Sequence, residues 1–261
     1  MSQTVKDIAC ALRRADRSEL EVFERSLAAD TRKGVRTALE RARVRIEMEE
    51  AEQRRVAALY AFEAGLAQSR DARVVVGLDE VGRGPLAGPL AVGAVVLGPE
   101  MIEGLNDSKQ LKPDQRECVA EHIKATARAW TVQYVDPAFI DAHGMTASLV
   151  EAFQRAIREI ERCGISPDLV LLDGNALNMD AREVNVVKGD AKCASIAAAS
   201  VVAKVERDRL MQRYAQEYPA YHFDECKGYA SPAHIEAIRR FGLTPIHRAS
   251  FCTAFTQESL F

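Results

Sequence analysis

The chain has 261 residues, 48% hydrophobic and 28% charged, with a net charge of −3, which is enough for a well-buried core and one large domain, or one domain with an appendage. That charge argues against a generic polyanion-binding tail but not against nucleic acid, because a basic face and an acidic pocket cancel in a whole-chain sum. No apolar run approaches the roughly 20 residues that cross a bilayer and the N-terminus lacks the order of a signal peptide, so a cytoplasmic protein is expected.

Six cysteines, Cys10, Cys118, Cys163, Cys193, Cys226 and Cys252, are scattered without CxxC or Cys/His spacing. They read as reduced, mostly packed thiols, and no structural zinc is expected. Residues 1–70 contain no proline and only two glycines, Gly34 and Gly65, and read as a helical N-terminal extension. Thr4 caps the first helix; Ser18 caps the second and forms a capping box with Glu21; a long charged helix runs from Arg32 to Leu66. Its charges are mixed in sign, as on a solvated face with one apolar stripe.

From residue 71 to 261 the pattern alternates. Strands are expected at 73–79, 90–97 and 129–135, helices at 113–128 and 145–163, and strands at 168–173 and 184–188. An alanine-rich helix follows from Ala194 to Glu217, and a short one starts after Ser231-Pro232, a serine cap with proline at the first helical position. Three strands followed by alternating helices and strands describe an α/β domain with a mixed β-sheet flanked by helices.

The chemistry lies at the strand ends. In GLDEVGRGPLAGPLAVGAVVL, residues 77–97, an apolar strand ends on Asp79-Glu80, although acids are depleted in strand interiors. LVLLDGN delivers Asp173 at the end of another strand, where open α/β sheets place their ligands. VVKGDAK delivers Asp190 just before the long helix. Taken singly, each acid is equally a turn or helix-start residue; together they suggest one cavity. Four carboxylates in one cavity raise one another's pKa, and a divalent cation removes the conflict. An all-oxygen set with no His or Cys suits Mg²⁺ or Mn²⁺, and two such ions can activate water and stabilise the leaving oxygen of a phosphodiester.

That string, followed in order by NDSKQL, LLDGN, KGDAK, SIAAASVVAKVERD, KGYASPAH and HRASF, resembles bacterial ribonuclease HII over residues 72–252. The resemblance implies the ribonuclease H-like fold and an endoribonuclease that hydrolyses the RNA strand of RNA/DNA hybrids. It also implies cutting 5′ to single ribonucleotides embedded in duplex DNA, leaving 3′-hydroxyl and 5′-phosphate ends, as in ribonucleotide excision repair. It implies Asp79, Glu80, Asp173 and Asp190 as catalytic metal ligands for Mn²⁺ or Mg²⁺, with Asp208 in support. For the substrate it implies Gly82, Arg83 and Gly84, which meet the ribose 2′-hydroxyl and phosphate at the RNA-to-DNA junction; Tyr229, which stacks on the next deoxyribose; and Asn106, Ser108 and Lys109 of NDSKQL, with Lys109 set for a phosphate.

Lys204 and His234 fit substrate contact and structural pairing equally. HRASF has Ala249 where the resemblance leads one to expect a second basic residue. The partners implied are RNA/DNA hybrid and ribonucleotide-containing duplex DNA, bound by a monomer with no membrane attachment. A ribonuclease HIII-like enzyme would have a sheet-forming N-terminal domain and usually no arginine between the two glycines. A non-catalytic hybrid-binding protein would be expected to have lost at least one of the four acids. A phosphate-loop nucleotidase fails, because GRGPLAGP lacks the Lys-Ser/Thr of that motif.

Overall fold

The structure, a computed structural model, describes residues 4–256. By its packing the chain divides into two units, one ending at Ala57 and one beginning at Ala58.

The first unit holds α1 (Val5–Leu12), α2 (Arg17–Ser26) and the larger part of α3 (Lys33–Ser69). Thr4 caps α1 as expected, its hydroxyl accepting the Asp7 N–H while the Asp7 carboxylate accepts the Thr4 N–H. The cap of α2 differs from the expected Ser18–Glu21 box. Asp16 accepts the Glu19 N–H and the Glu19 carboxylate accepts the Asp16 N–H at 3.0 Å, so an equivalent Asp-x-x-Glu box two residues earlier starts the helix sooner. Ile8, Leu12, Leu20, Val35, Ala42 and Ile46 form this unit's own core.

The second unit contains the end of α3 and a five-stranded mixed sheet of order β3-β2-β1-β4-β5. Its strands are β1 (Val75–Val81), β2 (Leu90–Val96), β3 (Ala129–Val135), β4 (Leu169–Asp173) and β5 (Glu183–Val186). The first three form an antiparallel meander, and β4 joins β1 in parallel. Helix α4 (Pro113–Thr126) matches its expected span closely, whereas α5 (Pro137–Arg162) begins well before the expected residue 145. It consists of two pieces meeting at Gly144, whose φ of 77° interrupts the helix; the sequence pattern had shown only the second piece.

Side-chain alternation divides the sheet. Val76, Leu78, Val92, Ala94, Val170 and Leu172 pack against α5 through Leu149, Phe153, Ile157 and Ile160. The other face meets α6 (Ala194–Glu217), whose alanines and small residues let the helix lie almost on the backbone. A Cβ on Gly77 would come within 2.2 Å of the Ser195 carbonyl carbon, and one on Gly93 within 2.4 Å of the Ala199 oxygen. This close approach gives α6 command of the site described below.

Beyond α6 lie α7 (Phe223–Cys226), α8 (Pro232–Phe241) and α9 (Ala249–Thr256). Ser231 caps α8 as the sequence predicts, accepting the His234 N–H at 3.2 Å. These helices gather Leu86, Met211, Tyr221, Phe223, Ile238 and Cys252 into a separate small core.

Candidate active site

β1 begins two residues later than expected, because Asp168 accepts the N–H groups of Arg73 and Val74, both at 2.9 Å, and keeps them out of the ladder. At its other end the ladder with β2 runs on to Val81↔Ala91, so Asp79 and Glu80 lie inside the strand, paired with Gly93 and Val92 of β2, and not at its end. The parallel register Leu78↔Leu172 puts the next residues, Asp79 and Asp173, beside one another as β4 runs out. Asp173 accepts the Gly189 N–H at 2.6 Å. That bond ties β4 to the single turn Gly189–Ala191, which presents Asp190 just before α6.

All four acids are drawn to one end of the sheet, and their electrostatics show it. Burial, with Asp79 only 5% exposed, and then the charges of Glu80 and Asp173 hold Asp79 well above the usual carboxylate range, with a Ser200 hydrogen bond opposing. Glu80 is raised by burial and by Asp173, with Arg83 opposing. Asp190 is raised by burial and then by Asp173 and Asp107, with Lys109 opposing. Among the described residues no group of three His, Cys, Asp or Glu side chains is arranged to hold a metal ion as it stands. The pleat sends Glu80 to the opposite face from Asp79, where it meets Arg83 at 3.1 Å, and Asp190 faces Lys109 at 3.5 Å. The donor set nevertheless fits a hard divalent cation: every candidate ligand is a carboxylate oxygen, and a cation relieves the repulsion that raises these groups.

Next to the acids, the chain turns through Gly82-Arg83-Gly84, with Gly82 at φ 91°, a conformation that favours glycine. The Tyr229 ring lies alongside: a Cβ on Gly84 would sit 3.8 Å from Tyr229 Cε1, and Tyr229 is 46% exposed. The structure thus brings together two motifs separated by more than half the chain. In NDSKQL, Lys109 is exposed, but Ser108 is buried and shares a hydrogen bond of 2.8 Å with Ser200 on α6. Asp107 N–H is accepted by the side chain of Asn106 at 2.9 Å. Arg116 fastens this loop by donating to the carbonyls of Ser108 (2.7 Å) and Leu111 (2.8 Å).

Lys204 pairs with Asp208 at 2.7 Å along α6, and His234 is fully buried, so both are structurally engaged. At Ala249 the backbone N–H donates to Asp141 at 2.8 Å, and the position opens α9.

Two functional neighbours were missed. Arg207 and Arg248 are both 0% exposed and donate mainly to backbone carbonyls. Arg207 reaches Pro89, Lys227 and Ala87 at 3.0, 3.1 and 3.2 Å. Arg248 reaches Gly88, Arg83 and Gly82. Burial lowers both, Arg248 to about 10, aided by the charge of Arg207. A sequence signal for Arg207 existed: it continues the four-residue stripe Ala199, Ala203, Arg207, Met211 that faces inward on α6.

The sequence model of a family described as Ribonuclease HII matches residues 76–254, and that of a Ribonuclease HII N-terminal domain matches residues 4–67. A Ribonuclease HII of Halalkalibacterium halodurans is 40% identical over 249 residues, 95% of this chain and 93% of the relative. One of Clostridium acetobutylicum is 39% identical, covering 94% and 97%. Among solved structures, the RNase HII of Archaeoglobus fulgidus, determined in complex with PCNA, superimposes with a TM-score of 0.60 at 27% identity, covering 72% of this chain and 98% of that one.

Proposed function

The chain belongs to the ribonuclease HII family of metal-dependent endoribonucleases, with the ribonuclease H-like fold, and on that premise we propose that it hydrolyses the RNA strand of RNA/DNA hybrids. On the same reading it cuts 5′ to single ribonucleotides in duplex DNA and leaves 3′-hydroxyl and 5′-phosphate ends. The observation that carries the reading is the apposition of Asp79 and Asp173, with raised Asp79, Glu80 and Asp190 around them, beside the Gly84–Tyr229 pair.

Asp79, Glu80, Asp173 and Asp190 would hold Mg²⁺ or Mn²⁺, which when bound supplies Lewis-acid stabilisation of the charge that develops on the phosphodiester. The protein's own residues do the rest. Asp173, held by Gly189, keeps the acid-bearing strand and turn in register. Arg83, released from Glu80, and Lys109, released from Asp190, are exposed cations able to meet phosphates. The Gly82–Gly84 backbone comes close to the ribose, whose 2′-hydroxyl is what distinguishes RNA from DNA. The exposed Tyr229 ring stacks on the deoxyribose that follows, where a ribose would be crowded. Both halves of the site come from one chain, so a monomer suffices.

A duplex carrying one ribonucleotide, incubated with Mg²⁺, Mn²⁺ or EDTA and with its products mapped to the nucleotide, tests this reading. Cleavage 5′ to the ribonucleotide with either ion, abolished by EDTA, supports it; intact duplex in all three contradicts it.

A further inference from the structure

We propose that the consecutive residues His247 and Arg248 are positioning residues that fix the two halves of the junction-reading surface, Tyr229 and the Gly82–Gly84 loop, relative to one another. The inference rests on the substrate reading given above and deepens it.

Arg248 sets the loop. Its guanidinium donates to the carbonyls of Arg83 at 2.9 Å, of Gly82 at 2.6 Å, and of Gly88 at 3.0 and 2.8 Å. No peptide bond among the described residues is cis. In a planar trans peptide the N–H points away from the preceding C=O. Drawing the Gly82 and Arg83 carbonyls inward therefore turns the N–H groups of Arg83 and Gly84 away from Arg248. Neither of these N–H groups has an acceptor among the described residues, so both are left for an oxygen of the substrate.

His247 sets the tyrosine through a chain of forced tautomers. Its Nδ1 accepts the Thr244 backbone N–H at 2.9 Å, so a neutral His247 carries its proton on Nε2. That proton is donated to Nε2 of His234 at 3.0 Å, which leaves the His234 proton on Nδ1, donating to the Tyr229 carbonyl at 2.8 Å. Both rings are buried, and burial lowers the pKa of each, which keeps them neutral. The Tyr229 backbone is held from within while its ring stays exposed.

The backbone closes the clamp. Arg248 N–H donates to Leu86 at 2.8 Å, Gly88 N–H donates to Ile246 at 2.8 Å, and the N–H groups of Leu86 and Ala87 donate to Gly228 at 2.8 and 3.3 Å. The segment between the two reading elements is thus stitched to both, and the neighbouring side chains of His247 and Arg248 serve one each.

The test measures kcat and KM of the full chain on two duplexes, one with a single ribonucleotide and one with a long RNA tract, alongside thermal melting. Arg248→Lys keeps the charge but loses the fork, His247→Phe removes the relay, and His247→Gln restores a side-chain N–H donor. Because small misplacements are amplified in catalysis, Arg248→Lys and His247→Phe are expected to reduce kcat/KM on the single ribonucleotide by at least about tenfold more than on the long tract. His247→Gln is expected to recover most of that ratio. Parallel loss on both substrates, or no loss, overturns the proposal. Should Arg248→Lys fail to fold, the His247 pair decides alone. Failure of the wild type to cut at a single ribonucleotide would instead refute the underlying functional reading.

Discussion

The Glu63 carboxylate accepts both the backbone N–H and the hydroxyl of Ser195, each at 2.7 Å. Glu63 lies in the last turns of α3, and Ser195 lies in the first turn of α6, where unsatisfied N–H groups and the helix dipole favour a carboxylate. Nearby, the Tyr60 hydroxyl accepts the Ile102 N–H at 3.0 Å, and Leu59 is buried with Val95, Ile102 and Val202. A chain shortened to begin at Ala58 keeps these contacts and is expected to stay soluble and cut the same bond. One beginning at Ser69 loses them, exposes apolar core and is expected to melt markedly lower or aggregate. Equal melting temperatures for the two would show that the end of α3 contributes nothing to the second unit.

Stability should fall on the acid side because of His247. Burial and its neighbour His234 lower its pKa to about 4, below the ordinary histidine value near 6.5. The unfolded chain binds the proton first, so the contribution is complete above about pH 6.5 and is lost progressively toward pH 4, by at most about 1.4 kcal/mol per pH unit. Asp79, raised in the folded state, acts with the opposite sign and offsets part of the slope. Urea midpoints measured against pH for wild type and His247→Phe separate the two. The wild type should lose stability more steeply between pH 6.5 and 4.5, and parallel curves would contradict the assignment.

Metal binding should release protons. Asp79, Glu80 and Asp190 are all raised above their ordinary values, and a cation favours their ionised forms. Titrating Mn²⁺ into the protein near pH 6 in buffers of different ionisation enthalpy should give a net proton release that shrinks as pH rises, with affinity increasing over the same range. Heats independent of buffer would argue that these carboxylates are not the ligands.

Much of this site was legible because strands and acids are local signals. The apolar runs before Asp173 and before Asp79-Glu80 appear as strands, and the cap at Ser231-Pro232 holds. What escaped depends on partners distant in sequence. Asp168 withdraws Arg73 and Val74 from the start of β1, and pairing with β2 as far as Val81↔Ala91 carries the strand past Asp79 and Glu80. Arg248 stands in the HRASF string, where basic residues suggest phosphate contacts, yet its acceptors are carbonyls some 160 residues away in sequence. Carbonyl acceptors belong to every residue, so no side-chain pattern marks them.

Removing the Tyr229 ring should alter substrate choice more than catalysis. The ring stands next to Gly84, and stacking of this kind is worth about 1 to 3 kcal/mol by analogy with bases on aromatic side chains. Tyr229→Ala is expected to weaken cleavage at a single ribonucleotide by roughly 5- to 150-fold and cleavage within a long RNA tract far less. Equal losses on both would make the tyrosine purely structural.

The central claim is that the carboxylates gathered around Asp173 form the metal-dependent hydrolytic centre. Asp173→Asn keeps the shape of the side chain and an oxygen able to accept the Gly189 N–H, while removing the charge. The decisive measurement is cleavage of an RNA/DNA hybrid by this variant in Mg²⁺ and in Mn²⁺, with hybrid binding and melting temperature determined on the same sample. The account predicts cleavage reduced by at least about a thousandfold with binding and folding largely retained. Near-normal turnover in a folded variant would contradict it.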